Sequence, residues 1–239
     1  MGSYESIFSI IGPVMVGPSS SHTAGAVRIG QLARSILGET PSVAEIFLHG
    51  SFAETGPGHG TDKAIVAGLL GLETWDDRVK DAFDLAHEAG FKFGIKAANL
   101  GPRMHPCSTR LVVTSRAGLR FDIVGSSLGG GSVVLTEING FEVKLSGEYH
   151  TLVTVHADRP GIIREVSTVL GDHQVNIAFM KVARKHKGDE AFMTVETDEP
   201  IAEACVAAIR AIDGMHSVRF LRIDMGGSHP GQARGEVEG

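Results

Sequence analysis

The chain contains little cysteine: only Cys107 and Cys205 occur among its 239 residues. Two thiols so far apart, in segments of different character, cannot build a disulfide framework or a metal site made of four thiolates. A metal centre of that kind would have to be held by another chain.

Long hydrophobic runs and clusters of positive charge are also missing. No apolar run approaches the roughly 18 residues that span a bilayer, and the N-terminus has no basic patch followed by a long apolar stretch. The net charge is −6 and Lys and Arg do not cluster, so we expect neither nucleic acid nor membrane as a partner. With 42% hydrophobic residues, the chain can bury cores, and we expect a globular protein of the cytoplasm.

What the sequence does contain is a hydroxyl-rich segment, GPSSSHTAGAVRIG, at residues 17–30. A helix start offers unpaired N–H groups and the positive end of a dipole, so the segment predicts a cradle for a carboxylate or phosphate. His22 adds a proton-transfer group whose ordinary pKa is about 6.5. Taken alone, such a serine run is more often a simple helix N-cap. The hydroxyl-bearing residues of the cradle are Ser19, Ser20, Ser21 and Thr23.

A second segment, HGSFAETGPGHGTDKA at residues 49–64, repeats this arrangement. A strand-like run leads into a Gly-rich loop that bears His59, and Thr61 opens the following apolar run. Glycines such as Gly60 let the backbone approach a ligand closely. Two histidines on two such loops predict one shared cleft that contains His22 and His59.

The chain divides near residue 148. Residues 1–148 alternate Gly-rich loops with strand-like and helix-like runs, which indicates a mixed α/β domain. The strand-like runs are 43–48, 110–114, 119–124, 133–136 and 141–145, and the helix-like runs are 24–37, 62–70 and 78–89.

Residues 149–225 predict a second domain with the element order βαββαβ. Four segments are typical of strands: HTLVTVHA, NIAFMKVARK, EAFMTVET and VRFLRID. Two segments are typical of helices: RPGIIREVSTVLGDH and PIAEACVAAIRAI. This order is the ferredoxin-like arrangement, so the predicted fold class of the chain is α+β. Residues 226–239 are polar and Gly-rich, and we expect them to be disordered.

Three segments together resemble the β subunit of the two-subunit, iron-sulfur L-serine dehydratases (L-serine deaminases). They are IIGPVMVGPSSSHTAGAVRIG, HGSFAETGPGHGTDKA and SSLGGGSVVLTEINGFEVKLSG. The resemblance runs from about Tyr4 to Asp224. It implies a partner α subunit that carries a 4Fe-4S cluster on its own cysteines, with no metal ligand in this chain. It also implies conversion of L-serine to pyruvate and ammonia, in serine catabolism and gluconeogenesis. The C-terminal unit resembles an ACT domain, which implies self-association.

Within this resemblance, His59 or His22 supplies the base. We prefer His59, because a histidine flanked by glycines can approach an α carbon closely, and expect His22 to orient the substrate hydroxyl or carboxylate. The expected serine site also includes Gly60, Thr61, His105, Gly129 and Gly130.

Three further residues have two interpretations each. Cys107 is expected to be a small buried residue, with contact to an exposed cluster as the alternative. Asp158 and Asn176 lie where ACT ligand contacts usually fall, but Asp158 can equally cap the following helix and Asn176 can end a turn.

Four other functions stay open. A non-catalytic sensor of amino acids or anions is one, because similar domains occur beside ACT units in some phosphoglycerate dehydrogenases; the paired histidines argue against it. A mononuclear metal hydrolase using His22, His49, His59 and His105 lacks a His-x-x-x-His spacing. A pyridoxal-phosphate mechanism needs a Schiff-base lysine, and Lys63, which alone follows a Gly-rich loop, is expected to be solvated or ion-paired. The last is a purely structural assembly subunit.

Overall fold

A six-stranded sheet organises the first part of the chain. The computed structural model describes residues 15–222, apart from the side chain of Pro57. The strands of this sheet are β1 (Val43–His49), β2 (Lys92–Ala97), β3 (Ser108–Thr114), β4 (Arg120–Gly129), β5 (Ser132–Ile138) and β6 (Phe141–Leu145). Their spatial order is β2-β1-β3-β4-β5-β6; β1 and β2 run parallel and the other neighbours antiparallel.

Helices pack against this sheet. They are α1 (Gly25–Leu37), α2 (Ser51–His59), α3 (Thr61–Leu70) and α4 (Ala82–Glu88); a π-helical turn (Ser20–Ala24) leads into α1, and a 3-10 turn (Asp77–Asp81) leads into α4. Helices α1 and α3 approach very closely, because glycines face each other. A Cβ atom on Gly68 would lie 2.0 Å from the carbonyl oxygen of Val27, and one on Gly30 would lie 2.5 Å from that of Ile65. Larger side chains there would push the helices apart.

The second sheet has four antiparallel strands. They are β7 (His150–Ala157), β8 (Ile177–Arg184), β9 (Glu190–Thr197) and β10 (Met215–Leu221), in the spatial order β10-β7-β9-β8, and the helices are α5 (Ile162–Asp172) and α6 (Glu203–Arg210). Both helices bury their apolar residues against one face of the sheet. The predicted βαββαβ order and the α+β fold class are confirmed.

The other face of the second sheet packs against the first part of the chain. The ring of Phe192 on β9 stacks on Phe141 of β6, with centroids 5.4 Å apart. Val153, Phe192 and Leu221 belong to the same buried cluster as the core of the six-stranded sheet. On the surface, Lys181 forms an ion pair with Glu142 at 3.1 Å. Both sheets therefore share one hydrophobic core.

The structure corrects the local predictions in three places. The Gly-rich loop expected to bear His59 is helix α2, which forms because Phe52 is fully buried and tertiary packing outweighs the weak helix propensity of Gly56 and Gly58. The Gly-rich stretch 125–132, which separates the predicted strand-like runs 119–124 and 133–136, is mostly strand: residues 125–129 are the end of β4 and Ser132 begins β5. Strand β2 was not predicted, because its central Gly94 and its exposed lysines hide the strand pattern.

The predicted disordered tail, 226–239, lies outside the described residues. Within residues 15–222, no helix combines the length and the apolar character needed to cross a membrane.

Candidate functional site

The turn that precedes α1 is capped by Ser19. Its hydroxyl accepts a hydrogen bond from the main-chain N–H of His22 at 3.1 Å, so the N-cap interpretation holds for this serine. Thr23 is buried, and its hydroxyl donates to the carbonyl oxygen of His59 at 3.3 Å. That bond joins the two histidine segments directly. Ser20 and Ser21 lie between these two residues and are half-buried.

His22 is half-buried and has a hydroxyl near each ring nitrogen. Nδ1 lies 3.4 Å from Ser19 Oγ, and Nε2 lies 3.0 Å from Ser51 Oγ. The ring of Phe52 meets the imidazole edge-on, with centroids 5.4 Å apart. Burial lowers the pKa of His22, the nearby charge of His59 lowers it further, and a hydrogen bond to the main chain of Ser51 opposes both effects. His22 is therefore neutral near pH 7.

His59 ends helix α2, and its ring centroid lies 5.1 Å from that of His22. Its Nδ1 lies 3.0 Å from the carbonyl oxygen of Thr55. Because a carbonyl oxygen can only accept, Nδ1 carries the proton and Nε2 keeps a lone pair in the neutral ring. The predicted pairing of the two histidines is thus observed, although a helix rather than a loop positions His59.

The hairpin between β4 and β5 lies beside the hydroxyl-rich turn. A Cβ on Gly129 would lie 3.7 Å from Ser21 Oγ, which places this glycine against the turn, while Gly130 is exposed. On β4, Ser127 is fully buried and packs closely against Gly25. A Cβ atom added to Gly25 would lie 2.1 Å from Ser127 Oγ. Among the described residues its hydroxyl has no hydrogen-bond partner.

Gly60 and Thr61 connect α2 to α3. Gly60 adopts a left-handed conformation with φ of 67°, which ends α2 and begins α3. Thr61 is fully buried, and within the part of the chain that the structure describes its hydroxyl has no hydrogen-bond partner. The structure thus places the Thr61 side chain in the interior, next to the site rather than on its surface.

The MHPCST segment contributes Cys107 to the surroundings of His22. The Cys107 Sγ lies 4.0 Å from His22 Nε2 and is buried. Burial raises the pKa of this thiol, and a hydrogen bond with the Ser51 side chain opposes that shift, so the group is a thiol near neutral pH. His105 is exposed, and its Nδ1 accepts a hydrogen bond from the N–H of Cys107.

Other candidates lie apart from this pair. His49 lines a cleft of about 410 Å³ with Glu54 and Asn99, at the ends of β1 and β2. The amine of Lys63 donates to the carbonyl oxygen of Lys80 at 2.8 Å in an exposed position, which agrees with the solvated alternative rather than the ion-paired one. Over residues 15–222, no three His, Cys, Asp or Glu side chains converge in a way that could hold a metal ion.

In the second sheet, Asp158 and Asn176 make contacts within the chain. Asp158 accepts from Arg184 and from the N–H of Gly188, which lower its pKa. It does not cap α5, which begins after Gly161 without a side-chain cap, so the capping alternative was wrong. The amide of Asn176 donates to Asp198 at 2.9 Å.

Sequence reasoning missed Ser51, Phe52 and the carbonyl group of Thr55, which hold the two imidazoles. A strand that ends in His-Gly-Ser before a helix was the available signal, since Gly50 sets the turn and Ser51 then opens the helix. The contacts of His22 with Ser51 and Phe52 join residues about thirty positions apart, which no local pattern reveals. The contact of His59 with Thr55 is local, but it forms only because this segment is a helix.

Comparisons with known proteins identify both halves of the chain. The model of the serine dehydratase beta chain family matches residues 6–90, and the ACT domain model matches residues 150–214. A probable L-serine dehydratase beta chain of Bacillus subtilis is 45% identical over 83% of this chain and 89% of its own length. The L-serine dehydratase beta chain of Peptoniphilus asaccharolyticus is 38% identical over 91% and 98%. A D-3-phosphoglycerate dehydrogenase of Synechocystis is 26% identical over 83% of this chain but 36% of its own length.

Proposed function

The chain belongs to the serine dehydratase beta-chain family, and from this premise we propose how its residues take part in converting L-serine to pyruvate and ammonia. The observation that carries the proposal is the pair of imidazoles, 5.1 Å apart, beside the hydroxyl-rich turn. A proton acceptor and a set of donors for a carboxylate thus lie in one place. A partner α chain completes the enzyme.

We assign carboxylate binding to Ser20 and Ser21. The hydroxyls of Ser19 and Thr23 already bond within the chain, so the two serines between them are the members of the cradle best placed to donate to a ligand. Gly129 lies against Ser21 and, with Gly130, forms one wall without a side chain that would obstruct a small amino acid. We also assign Gly60, Thr61 and His105 to the site, with the buried Thr61 supporting it from the interior.

We assign the role of base to His59. Its Nδ1 donates to Thr55, so Nε2 is the nitrogen that can accept the α proton of serine. The electron pair of the broken C–H bond forms the double bond as the β C–O bond breaks, and the enamine product then tautomerises and hydrolyses. Both nitrogens of His22 lie near hydroxyls of the chain, and we assign it a positioning role beside His59 rather than proton transfer.

The iron-sulfur cluster belongs to the partner in this proposal. Cys107 is a buried thiol with a raised pKa, and in the described residues no further cysteine or carboxylate joins it and His22 to make a ligand set. The described part of the chain thus does not fit a 4Fe-4S cluster. When held by the partner, the cluster supplies a Lewis acid for the departing hydroxyl.

We further propose that the chain self-associates through the second sheet, in the cytoplasm, without nucleic acid or membrane. Strand β8 is an edge strand of that sheet, and Phe179 and Val182 on it are 60% and 39% exposed. An edge strand with exposed apolar side chains favours pairing with another copy. The negative net charge of −6 opposes contact with nucleic acid and anionic lipid.

Anaerobic co-expression with an α chain, followed by an assay of pyruvate formed from L-serine, tests the proposal. We expect the purified complex to produce pyruvate and the isolated, metal-free chain to produce none, because its residues offer no electrophile for the hydroxyl group. Pyruvate from the isolated chain would contradict the proposal. Binding of serine without turnover in the iron-loaded complex would favour an amino-acid sensor instead.

A further inference from the structure

Ser51 opens helix α2, and its hydroxyl lies 3.0 Å from Nε2 of His22. We propose that Ser51 is a positioning residue: its hydroxyl accepts the Nε2–H of His22 and fixes the tautomer and orientation of the imidazole that packs against His59. The consequence for catalysis rests on the proposed function, because it is the role of His59 as base that makes the orientation of its neighbour matter.

The contacts of Ser19 are the basis on which the proposal assigns the tautomer. The Ser19 hydroxyl already accepts from the main-chain N–H of His22 at 3.1 Å, and His22 Nδ1 lies 3.4 Å away. A hydroxyl that accepts one bond can donate its own proton or accept a second bond; in this proposal Ser19 donates to Nδ1, which gives its proton an acceptor within the chain. In a neutral imidazole the other nitrogen then carries the proton. That nitrogen is Nε2, which faces Ser51.

Cys107 is the other group near Nε2, and distance decides between the two. Its Sγ lies 4.0 Å from Nε2, against 3.0 Å for the Ser51 oxygen. A sulfur is also a weaker acceptor than a hydroxyl oxygen. Ser51 is therefore the partner of His22, while the buried Cys107 thiol lies near the same end of the ring.

The conformation of the backbone before α2 places Ser51 next to His22. Gly50 has φ of 52°, and a Cβ on it would lie 2.8 Å from the carbonyl oxygen of Pro106. The next residue, Phe52, is fully buried and contacts the edge of the His22 ring. Ser51 is thus held between two fixed neighbours, which is the condition for a hydrogen bond that orients its partner.

Nuclear magnetic resonance of the isolated, full-length chain tests the hydrogen bond without any activity. The side-chain nitrogens of His22 are assigned by comparison with His22→Gln and followed through a pH titration. We expect the parent chain to show one tautomer with the proton on Nε2. Ser51→Ala should give mixed tautomers, whereas Ser51→Thr, which keeps the hydroxyl, should retain the single tautomer. Ser167→Ala, which removes an exposed hydroxyl on α5, serves as the control.

Kinetics of the same variants in the iron-loaded complex test the consequence. We expect Ser51→Ala to lower kcat about 3- to 10-fold, the size of one hydrogen bond, with KM within twofold of the parent. Ser51→Thr should restore most of kcat. An unchanged His22 tautomer and titration in Ser51→Ala overturn the inference, with circular dichroism checking the fold of each variant. A parent complex that makes no pyruvate overturns the proposed function instead, and leaves the result on the hydrogen bond standing.

Discussion

His22 and His59 are the same residue type, 5.1 Å apart, yet their surroundings give them different chemistry. His22 lies between two hydroxyls, and burial and the charge of His59 lower its pKa. His59 Nδ1 donates to a carbonyl oxygen, and among the described residues Nε2 has no hydrogen-bond partner. Hydrogen-bond partners, rather than residue type, distinguish His59, the proposed base, from its neighbour.

Replacing His59 by alanine should depress kcat about 100- to 10,000-fold, the range of a lost general base, and leave KM nearly unchanged. The variant keeps the carbonyl group that accepts from Thr23, so the turn should stay in place. Steady-state assays of the iron-loaded complex measure both constants, and cluster absorbance controls for lost iron. A near-normal kcat in this variant, together with a large loss of kcat in His22→Ala, would show that His22 rather than His59 is the base.

Ser20→Ala separates binding from proton transfer at the same site. We propose that its hydroxyl binds the substrate carboxylate in the ground state and the transition state alike. The substitution should therefore weaken binding by about 0.5–3 kcal/mol, which raises KM, while kcat is largely retained. The same assay gives both constants. A fall in kcat at constant KM would remove Ser20 from the binding role.

At the scale of elements, helix α2 carries the site at both ends. Ser51 at its start contacts His22, and His59 at its end carries Nε2, the nitrogen proposed to accept the α proton. The angle of the helix is set before it begins, at Gly50, whose φ of 52° and 2.8 Å approach to Pro106 leave no room for a side chain.

Gly50→Ala should therefore destabilise the chain by about 1–3 kcal/mol and lower kcat, since α2 would shift with both of its functional ends. Gly58→Ala is the matched control in the same helix: nothing lies within 4 Å of an added Cβ, and alanine in a helix should stabilise by about 0.5–1 kcal/mol. Urea denaturation measures both changes. Equal effects of the two substitutions would show that the turn does not set the helix.

Over the whole molecule, residues 15–222 form two sheets that share the core between them, and the second sheet has a further core beneath its helices. We propose domain limits at 1–148 and 149–225 from the sequence, but Phe141 and Phe192 stack across that limit with centroids 5.4 Å apart. Glu196 of β9 is also buried at this face, and its pKa is raised by burial first and by Glu148 second, with Lys144 opposing. The stability of either sheet therefore depends on the other.

Phe192→Ala should cost about 3–5 kcal/mol, the usual price of emptying a buried aromatic site, and should loosen both sheets. Phe192→Leu, which keeps most of the apolar volume, should cost much less. Hydrogen exchange read separately on strands β6 and β7 shows whether protection falls in both parts of the chain. A loss of protection from exchange that is confined to the second sheet would mean that the two domains are energetically independent.

The sequence alone determined the chain's family, its α+β class, the βαββαβ order of the second unit and the pairing of two histidine segments. These depend on periodicity and on motifs of contiguous residues, which a sequence displays directly. Only the tertiary structure decided that His59 sits on a helix and that Ser51 and Thr55 hold the imidazoles. It also decided that Thr61 faces the interior and that both sheets share a core. Each of these features depends on contacts between residues distant in sequence or on packing that overrides local propensity. A short segment of sequence shows neither the contacts nor the packing.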